Sequence, residues 1–339
     1  MSRYLNLSLF YFICMLGLTA CGGGSKAPQQ PVSGVFAVPE IAEVSARIEK
    51  DGNNAALYYK RAMLLREQGA DSLALTDLKK TVSLDSSKAY YFSSIGELLF
   101  EHKDVQGSIK YFKKAIGIDP NDPVSHLKYA KLLMFTDNNQ EAFTEINTVL
   151  RRNPYSGEAY FLKGMVYKNL KDTNKALSSF QTSIQVDPQY QPSFLQLGAI
   201  YASRKDSLAL RYFENAYLID SSQMIGRYSQ AMFYQDAGAY EKAKAVYRKI
   251  ILKDPQYADA FFNMGWILMR QDSFEKAARQ FDLVTRIEPA NAGAYYNRGV
   301  CYELMHRTRE ALSDYRQAVE LDDTYTEAKS GVQRLSSQK

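Results

Sequence analysis

Glycine or alanine returns along this chain at a fixed interval: Ala62, Gly96, Ala130, Gly164, Gly198, Ala231, Gly265 and Gly299. A 34-residue frame from Ala55 to Tyr325, with one residue dropped in the fifth unit, holds all eight. Its units start at Ala55, Ala89, Pro123, Gly157, Gln191, Met224, Ala258 and Ala292, and the small residue is always the eighth place. With Gly or Ala at roughly 15% of positions, such agreement has a chance on the order of 10⁻⁷, still about 10⁻⁵ after trying every frame. The repeat therefore dictates the fold, because each unit must satisfy the same geometry as the next.

The twentieth place is small throughout: Ala74, Ser108, Ala142, Ala176, Ala209, Ala243, Ala277 and Ala311. The eleventh and twenty-fourth places are large, as in Leu65 with Leu78, Tyr167 with Phe180, and Tyr302 with Tyr315. Small residues let two helix backbones approach, and large ones fill the space beside the crossing. The fourth, eighth and eleventh places share one helical face. Pro120, Pro154, Pro188, Pro255 and Pro289 fall between units, Pro123 and Pro192 begin first helices, and Pro28, Pro31 and Pro39 precede the repeats. None interrupts a helix interior, where each would cost about 3 kcal/mol.

This pattern resembles the tetratricopeptide repeat (TPR) family. The seventh unit carries it well, with Phe261, Met264, Gly265, Leu268, Ala277, Phe281 and Pro289 in the family's order. The resemblance covers 271 of 339 residues and implies an all-α, right-handed superhelical solenoid of eight TPR helix pairs. Departures are His126 and Arg227 at the large fourth place, Ser108 for an alanine, and no closing proline in the first, fifth and eighth units. Each repeat leaves an apolar face that only a neighbour covers, so both ends need caps. Residues 39–54, with Ile41, Val44 and Ile48 on one side, are expected to cap the first unit. Residues 326–339, with Ala328, Val332 and Leu335 as a stripe and Lys329 and Arg334 outside, cap the last. The expected whole is one elongated domain of about 18 helices.

The N-terminus carries an address. Arg3 is a positive n-region, Leu5 to Leu18 is largely apolar, and small residues follow at Thr19 and Ala20. Leu18-Thr19-Ala20-Cys21 resembles the lipobox of bacterial lipoprotein signal peptides, which implies removal of residues 1–20 and lipidation of Cys21. The alternative is an ordinary secretory signal with a chance cysteine. Several acyl chains give stable anchoring, whereas one is marginal. Residues 21–38, rich in Gly, Pro and Gln, are expected to form a coil tether, with a reach of roughly 23 Å. Gly22 after the cysteine is compatible with the outer membrane, facing the periplasm.

Composition narrows the function. At 46% hydrophobic and 23% charged, the chain is globular. Removal of the signal leaves 41 basic and 37 acidic residues, spread without a basic block, so nucleic acid is not an expected partner. No phosphate loop, zinc-protease, nucleophile-elbow or dinucleotide motif is present, and no cofactor, metal, enzymatic activity or small-molecule substrate is expected. His102 and His306 lie near turns within units, and His126 reads as a ring in a core slot rather than a metal ligand. Cys301, beside the packing face, reads as a small hydrophobe rather than a reactive thiol. Carboxylates read as solvated helix faces.

Function is then a matter of surface. The TPR resemblance implies a groove lined by first helices, with the second, fifth, ninth, twelfth and thirteenth places facing it. The fifth and ninth hold Tyr59 and Met63, Phe161 and Met165, Tyr228 and Met232, Phe262 and Trp266, then Tyr296 and Val300. Aromatics and methionines suit adaptable contact with peptide side chains. The same residues could instead pack against the next first helix. Tyr59 and Met63 stand where a clamp for C-terminal carboxylates needs Lys and Asn, so that ligand is not expected. Lys131, Asn169, Gln235, Asp236 and Arg270 give polar edges. The leading expectation is a membrane-anchored scaffold that binds segments of other cell-envelope proteins and assists assembly or localisation of a complex. The alternative is a glycan-binding envelope lipoprotein.

Overall fold

The computed structural model describes residues 33–337, so Cys21, residues 1–20 and most of the expected tether lie outside the described residues. Among the described residues there are nineteen α-helices and no strand. The chain divides into two compact units, Met1–Leu84 and Asp85–Lys339, where the repeat frame implied one domain.

The first unit holds α1 (Ser33–Phe36), α2 (Pro39–Lys50) and one helix pair, α3 (Ala55–Glu67) with α4 (Asp71–Leu84). The coil expected up to residue 38 gives way earlier, since α1 is a helical turn. Phe36 supplies a reason: the Arg61 guanidinium lies over its ring, 5.6 Å from the centroid. On α2 the residues Ile41, Val44 and Ile48 are buried, as a cap requires.

The second unit stacks seven pairs: α5 (Ala89–Glu101) with α6 (Val105–Ile118), α7 (Pro123–Phe135) with α8 (Asn139–Arg152), and α9 (Gly157–Asn169) with α10 (Thr173–Val186). Then come α11 (Gln191–Ser203) with α12 (Leu208–Ile219), α13 (Ile225–Asp236) with α14 (Tyr240–Lys253), α15 (Ala258–Arg270) with α16 (Phe274–Ile287), and α17 (Ala292–Leu304) with α18 (Thr308–Leu321). A final helix, α19 (Thr326–Ser336), buries Ala328, Gly331 and Leu335. Successive first helices touch at α5 on α7, α7 on α9, α11 on α13 and α15 on α17, and no two second helices pack as closely. Within this unit the first-helix side is therefore the narrower one, and the second helices splay.

Every pair turns in the same way. The fifteenth place has positive φ, from 52° to 72°, at Gly69, Lys103, Asp137, Lys171, Lys205, Gly238, Asp272 and His306. The N–H of the sixteenth place donates to the eleventh-place carbonyl at 2.8–2.9 Å in all eight pairs, as from Ala70 to Leu65 and from Arg307 to Tyr302. This left-handed closing turn satisfies carbonyls that the first helix leaves open. The small eighth place explains itself at the crossing. A β-carbon on Gly198 would stand 2.4 Å from the Phe213 ring, and one on Gly164 2.5 Å from Phe180. Where the twenty-fourth place shrinks to Leu78 or Ile146, the eighth grows to Ala62 or Ala130. Ser108, the departure at the small twentieth place, donates its hydroxyl to the Gly96 carbonyl at 2.6 Å and so stays satisfied while buried.

Candidate functional site

The expected groove residues are half-buried first-helix side chains in every case: Tyr59, Met63, Phe161, Met165, Tyr228, Met232, Phe262, Trp266 and Tyr296. Tyr59 and Met63 lie on α3 in the first unit. In the second unit the stripe is interrupted, because Leu195 and Ala199 occupy the fifth and ninth places of α11. Phe161 and Met165 on α9 thus stand apart from a continuous row on α13, α15 and α17.

The fifth-place rings are gripped by their own units. Phe161 lies 5.7 Å from Phe180 and 5.4 Å from Tyr190, centroid to centroid. Tyr228 lies 6.1 Å from Tyr247 and 5.6 Å from Tyr257, and Tyr296 lies 5.7 Å from Tyr315 and 5.0 Å from Tyr325. A thirty-fourth-place tyrosine thus completes three rings in each of these units. Sequence reading missed this role, although the period marks it. In the seventh unit Asn291 holds that place, and Phe262 meets Phe281 alone, edge-on at 5.4 Å. Phe262 is therefore held by one ring where its counterparts are held by two.

The ninth places differ more. Met232 accepts the Tyr247 hydroxyl at 3.2 Å, and Met165 packs beside Phe180 and Leu197. Trp266 meets Tyr240 edge-on at 6.3 Å, while Arg270 covers part of its indole from 5.8 Å. Between α13 and α15, Asn263 donates to the Tyr228 hydroxyl at 2.8 Å and the Gln235 amide donates to the Asn263 side-chain oxygen at 3.5 Å. This joins neighbouring first helices through polar groups that are satisfied. Burial pushes the Tyr228 phenol up to about 12. It also holds the Asp236 and Asp259 carboxyls above the usual range, the latter helped by the charge of Glu288. Both carboxyls reach solvent, which damps the effect. Lys131 pairs with Glu158 at 2.7 Å, and Asn169 is exposed at the end of α9.

Two fourth-place departures are compensated by carboxylates. His126 is buried, with Nδ1 2.5 Å from Glu145 and Nε2 3.0 Å from the Pro120 carbonyl. Both ring nitrogens face oxygen acceptors, an arrangement that suits the imidazolium, and the hydrogen bond to Glu145 raises its pKa against the opposing effect of burial. Arg227 pairs with Glu214 at 2.6 Å while its guanidinium lies 4.2 Å over the Tyr217 ring. Cys301 is fully buried and burial pushes its thiol up to about 12, in line with an inert core residue. The carboxylates do not all belong to solvated faces. Asp77 and Asp314 are buried and bound to Arg61 and Arg298. Their partners lie sixteen residues upstream on the paired helix, a spacing that no single-helix pattern reveals.

The fold consists of antiparallel helix pairs, and within the second unit each pair packs on the next. Models described as Tetratricopeptide repeat match residues 59–123, 157–190, 234–298 and 292–325, together more than half of the chain. The chain is a tetratricopeptide repeat protein. Superkiller protein 3 of Schizosaccharomyces pombe is 26% identical over 49% of this chain and 13% of its own length. Anaphase-promoting complex subunit 3 of the same organism is 20% identical over 69% of this chain and 30% of its own. The chain therefore spans less than a third of either relative. A tetratricopeptide repeat protein from Parabacteroides merdae is similar in structure, with a TM-score of 0.51 and 15% identity over 73% of this chain and 98% of that one. That likeness concerns the fold.

Proposed function

We propose that this protein is a non-catalytic, membrane-tethered adaptor whose first-helix face binds segments of other cell-envelope proteins and assists assembly or localisation of a complex. Proteins of this family mediate protein–protein contacts, and the relative named as an anaphase-promoting complex subunit is a component of an assembly. The observation that carries the reading is the row on α13, α15 and α17. Tyr228, Phe262, Trp266 and Tyr296 present half-buried rings on three consecutive first helices, with Asp236 and Asp259 among them. A segment with aliphatic or aromatic side chains and a cation or N–H donor suits such a face. Glycan binding is less well supported, because sugars stack on open ring faces and most of these rings have neighbours on two sides.

Phe262→Ala and Trp266→Ala test the face. A recognition role predicts loss of partners captured by cross-linking in an envelope fraction, with binding weakened by roughly 2 kcal/mol. A packing role predicts instead a fall in stability of roughly 3–5 kcal/mol and unchanged partners, and that result removes the reading. Tethering rests on the lipobox resemblance at Cys21. Metabolic labelling with an alkyne fatty acid should mark the native chain and leave Cys21→Ala unlabelled. We place the protein on the periplasmic face of the outer membrane; degradation by protease added to intact cells would reverse that assignment.

A further inference from the structure

The second-helix side of the sixth and seventh units carries a different surface. α14 bears Lys242, Lys244, Arg248, Lys249 and Lys253 against Glu241 alone. Because α14 and α16 splay, a depression of about 410 Å³ opens between them. Its floor is Met264 and Leu268 of α15, and its walls carry Lys244 and Arg248 on one side and Lys276 and Arg279 on the other.

Charge in this depression is poorly compensated. Lys244 is bound to Glu241 at 2.7 Å and to the Gln271 side-chain oxygen at 2.8 Å. Glu241 is thereby committed, and it also accepts from Gln271 at 3.3 Å. Glu275, beside Lys276 in sequence, faces Arg307 at 3.9 Å. Arg279 donates only to the Glu275 backbone carbonyl, at 3.4 Å, and is exposed, as are Arg248 and Lys276. Arg248, Lys276 and Arg279 thus surround an apolar floor whose lining holds no carboxylate, and of the three only Arg248 shares the charge of Glu241, which is already bound to Lys244.

We propose that this depression binds an acidic peptide segment, with an aliphatic side chain on Met264 and Leu268 and flanking carboxylates paired to Arg248, Lys276 and Arg279. Arginine and carboxylate can pair side-on, and a recessed apolar floor adds selectivity that charge alone lacks. The recess favours a peptide over a bilayer, since a flat lipid surface meets the lysines without reaching the floor. The site lies on the other side of the helix pairs from Tyr228, Phe262 and Trp266 and is independent of the adaptor reading, which survives its failure.

The probe is a short fluorescein-labelled peptide of leucines flanked by glutamates, titrated into the full chain and followed by anisotropy. Saturable binding that weakens with added salt is expected, reduced about tenfold or more by Lys276→Glu with Arg279→Glu. Lys276→Gln with Arg279→Gln, which should keep the native melting temperature, should give an intermediate loss. Absence of saturable binding overturns the proposal, as does equal binding by the charge-reversed chain. Equal binding of a glutamate–serine peptide overturns the role of the floor. Binding to phosphatidylglycerol vesicles in preference to the peptide assigns the surface to lipid, and self-association abolished by the same reversal assigns it to a second copy; either result overturns the peptide.

Discussion

Arg61 grips Asp77 side-on, with Nε and Nη2 donating to the two carboxylate oxygens at 2.6 and 2.8 Å. Arg298 and Asp314 repeat the arrangement at the same two places of the last unit, both at 2.8 Å. Arg298 has a second carboxylate, Asp282 at 2.7 Å, whereas Arg61 has beside Asp77 only neutral neighbours, the Ser45 hydroxyl at 3.2 Å and the rings of Phe36 and Tyr58. Removing Asp77 therefore strands a half-buried cation. Asp77→Ala should destabilise the first unit by about 3 kcal/mol, while Arg61→Met with Asp77→Leu should stay within about 1 kcal/mol of native. Urea denaturation of both variants, read by hydrogen exchange at α3 and α4, measures the difference; equal losses would mean that the pair itself is the stabiliser.

His126 gives the third unit a pH dependence. Its folded-state pKa is raised, chiefly by Glu145, so the stabilising contribution is complete below about pH 6.5, the ordinary value of the unfolded chain. It is lost as pH rises through the higher folded value. Hydrogen-exchange protection of α7 and α8 should fall over that window in the native chain and stay flat in His126→Gln. A native profile that rises across the same window would show a neutral ring instead.

The glycines under aromatic rings should resist enlargement. Gly198→Ala sets a methyl against Phe213, and Gly265→Leu drives a branched side chain into Phe281, which already lies 2.9 Å from the position of a β-carbon. Each should cost on the order of 1–3 kcal/mol or more. For Gly265→Leu, protection should fail in α15 to α18 before α5 to α8, because stability in a repeat array is passed between neighbours. Uniform loss along the second unit would contradict this.

Cys301 should be silent in the native fold. With its thiol buried and held up to about 12, alkylation at pH 8 should be far slower than in urea-unfolded chain, as mass spectrometry of the peptide holding Cys301 would show. Native-state labelling at the unfolded rate would indicate that α17 opens readily from α18.

The helices were legible because the period is. First helices begin at the frame's own first residue in seven units and at Ile225, one past Met224, in the sixth. The caps were legible from apolar stripes at Ile41, Val44 and Ile48 and at Ala328, Val332 and Leu335, of which Val332 is half-buried. What escaped were relations between helices. Asp77 and Asp314 look like any surface acid until α4 and α18 are folded onto α3 and α17. The cations of Arg248, Lys276 and Arg279 are scattered along two helices and converge only when those helices splay. At the candidate face, sequence could name the rings but not say how each is held. That depends on whether the thirty-fourth place is Tyr190, Tyr257 or Tyr325, or instead Asn291.

The residue missing from the fifth unit is lost between the left-handed Lys205 and the small Ala209, at the start of α12, which runs from Leu208 rather than from the seventeenth place. Inside a helix, such a loss would rotate all later side chains by about 100° and draw them about 1.5 Å along the axis. Here the Asp206 N–H still closes on Tyr201 at 2.9 Å, the Asp206 carboxylate accepts from the Leu208 N–H at 2.8 Å, and Phe213 still lies over Gly198. The first turn of a second helix thus works as an expansion joint. Changes of length made there leave the phase of every following unit intact, whereas the same change a few residues later would throw the rest of the array out of step.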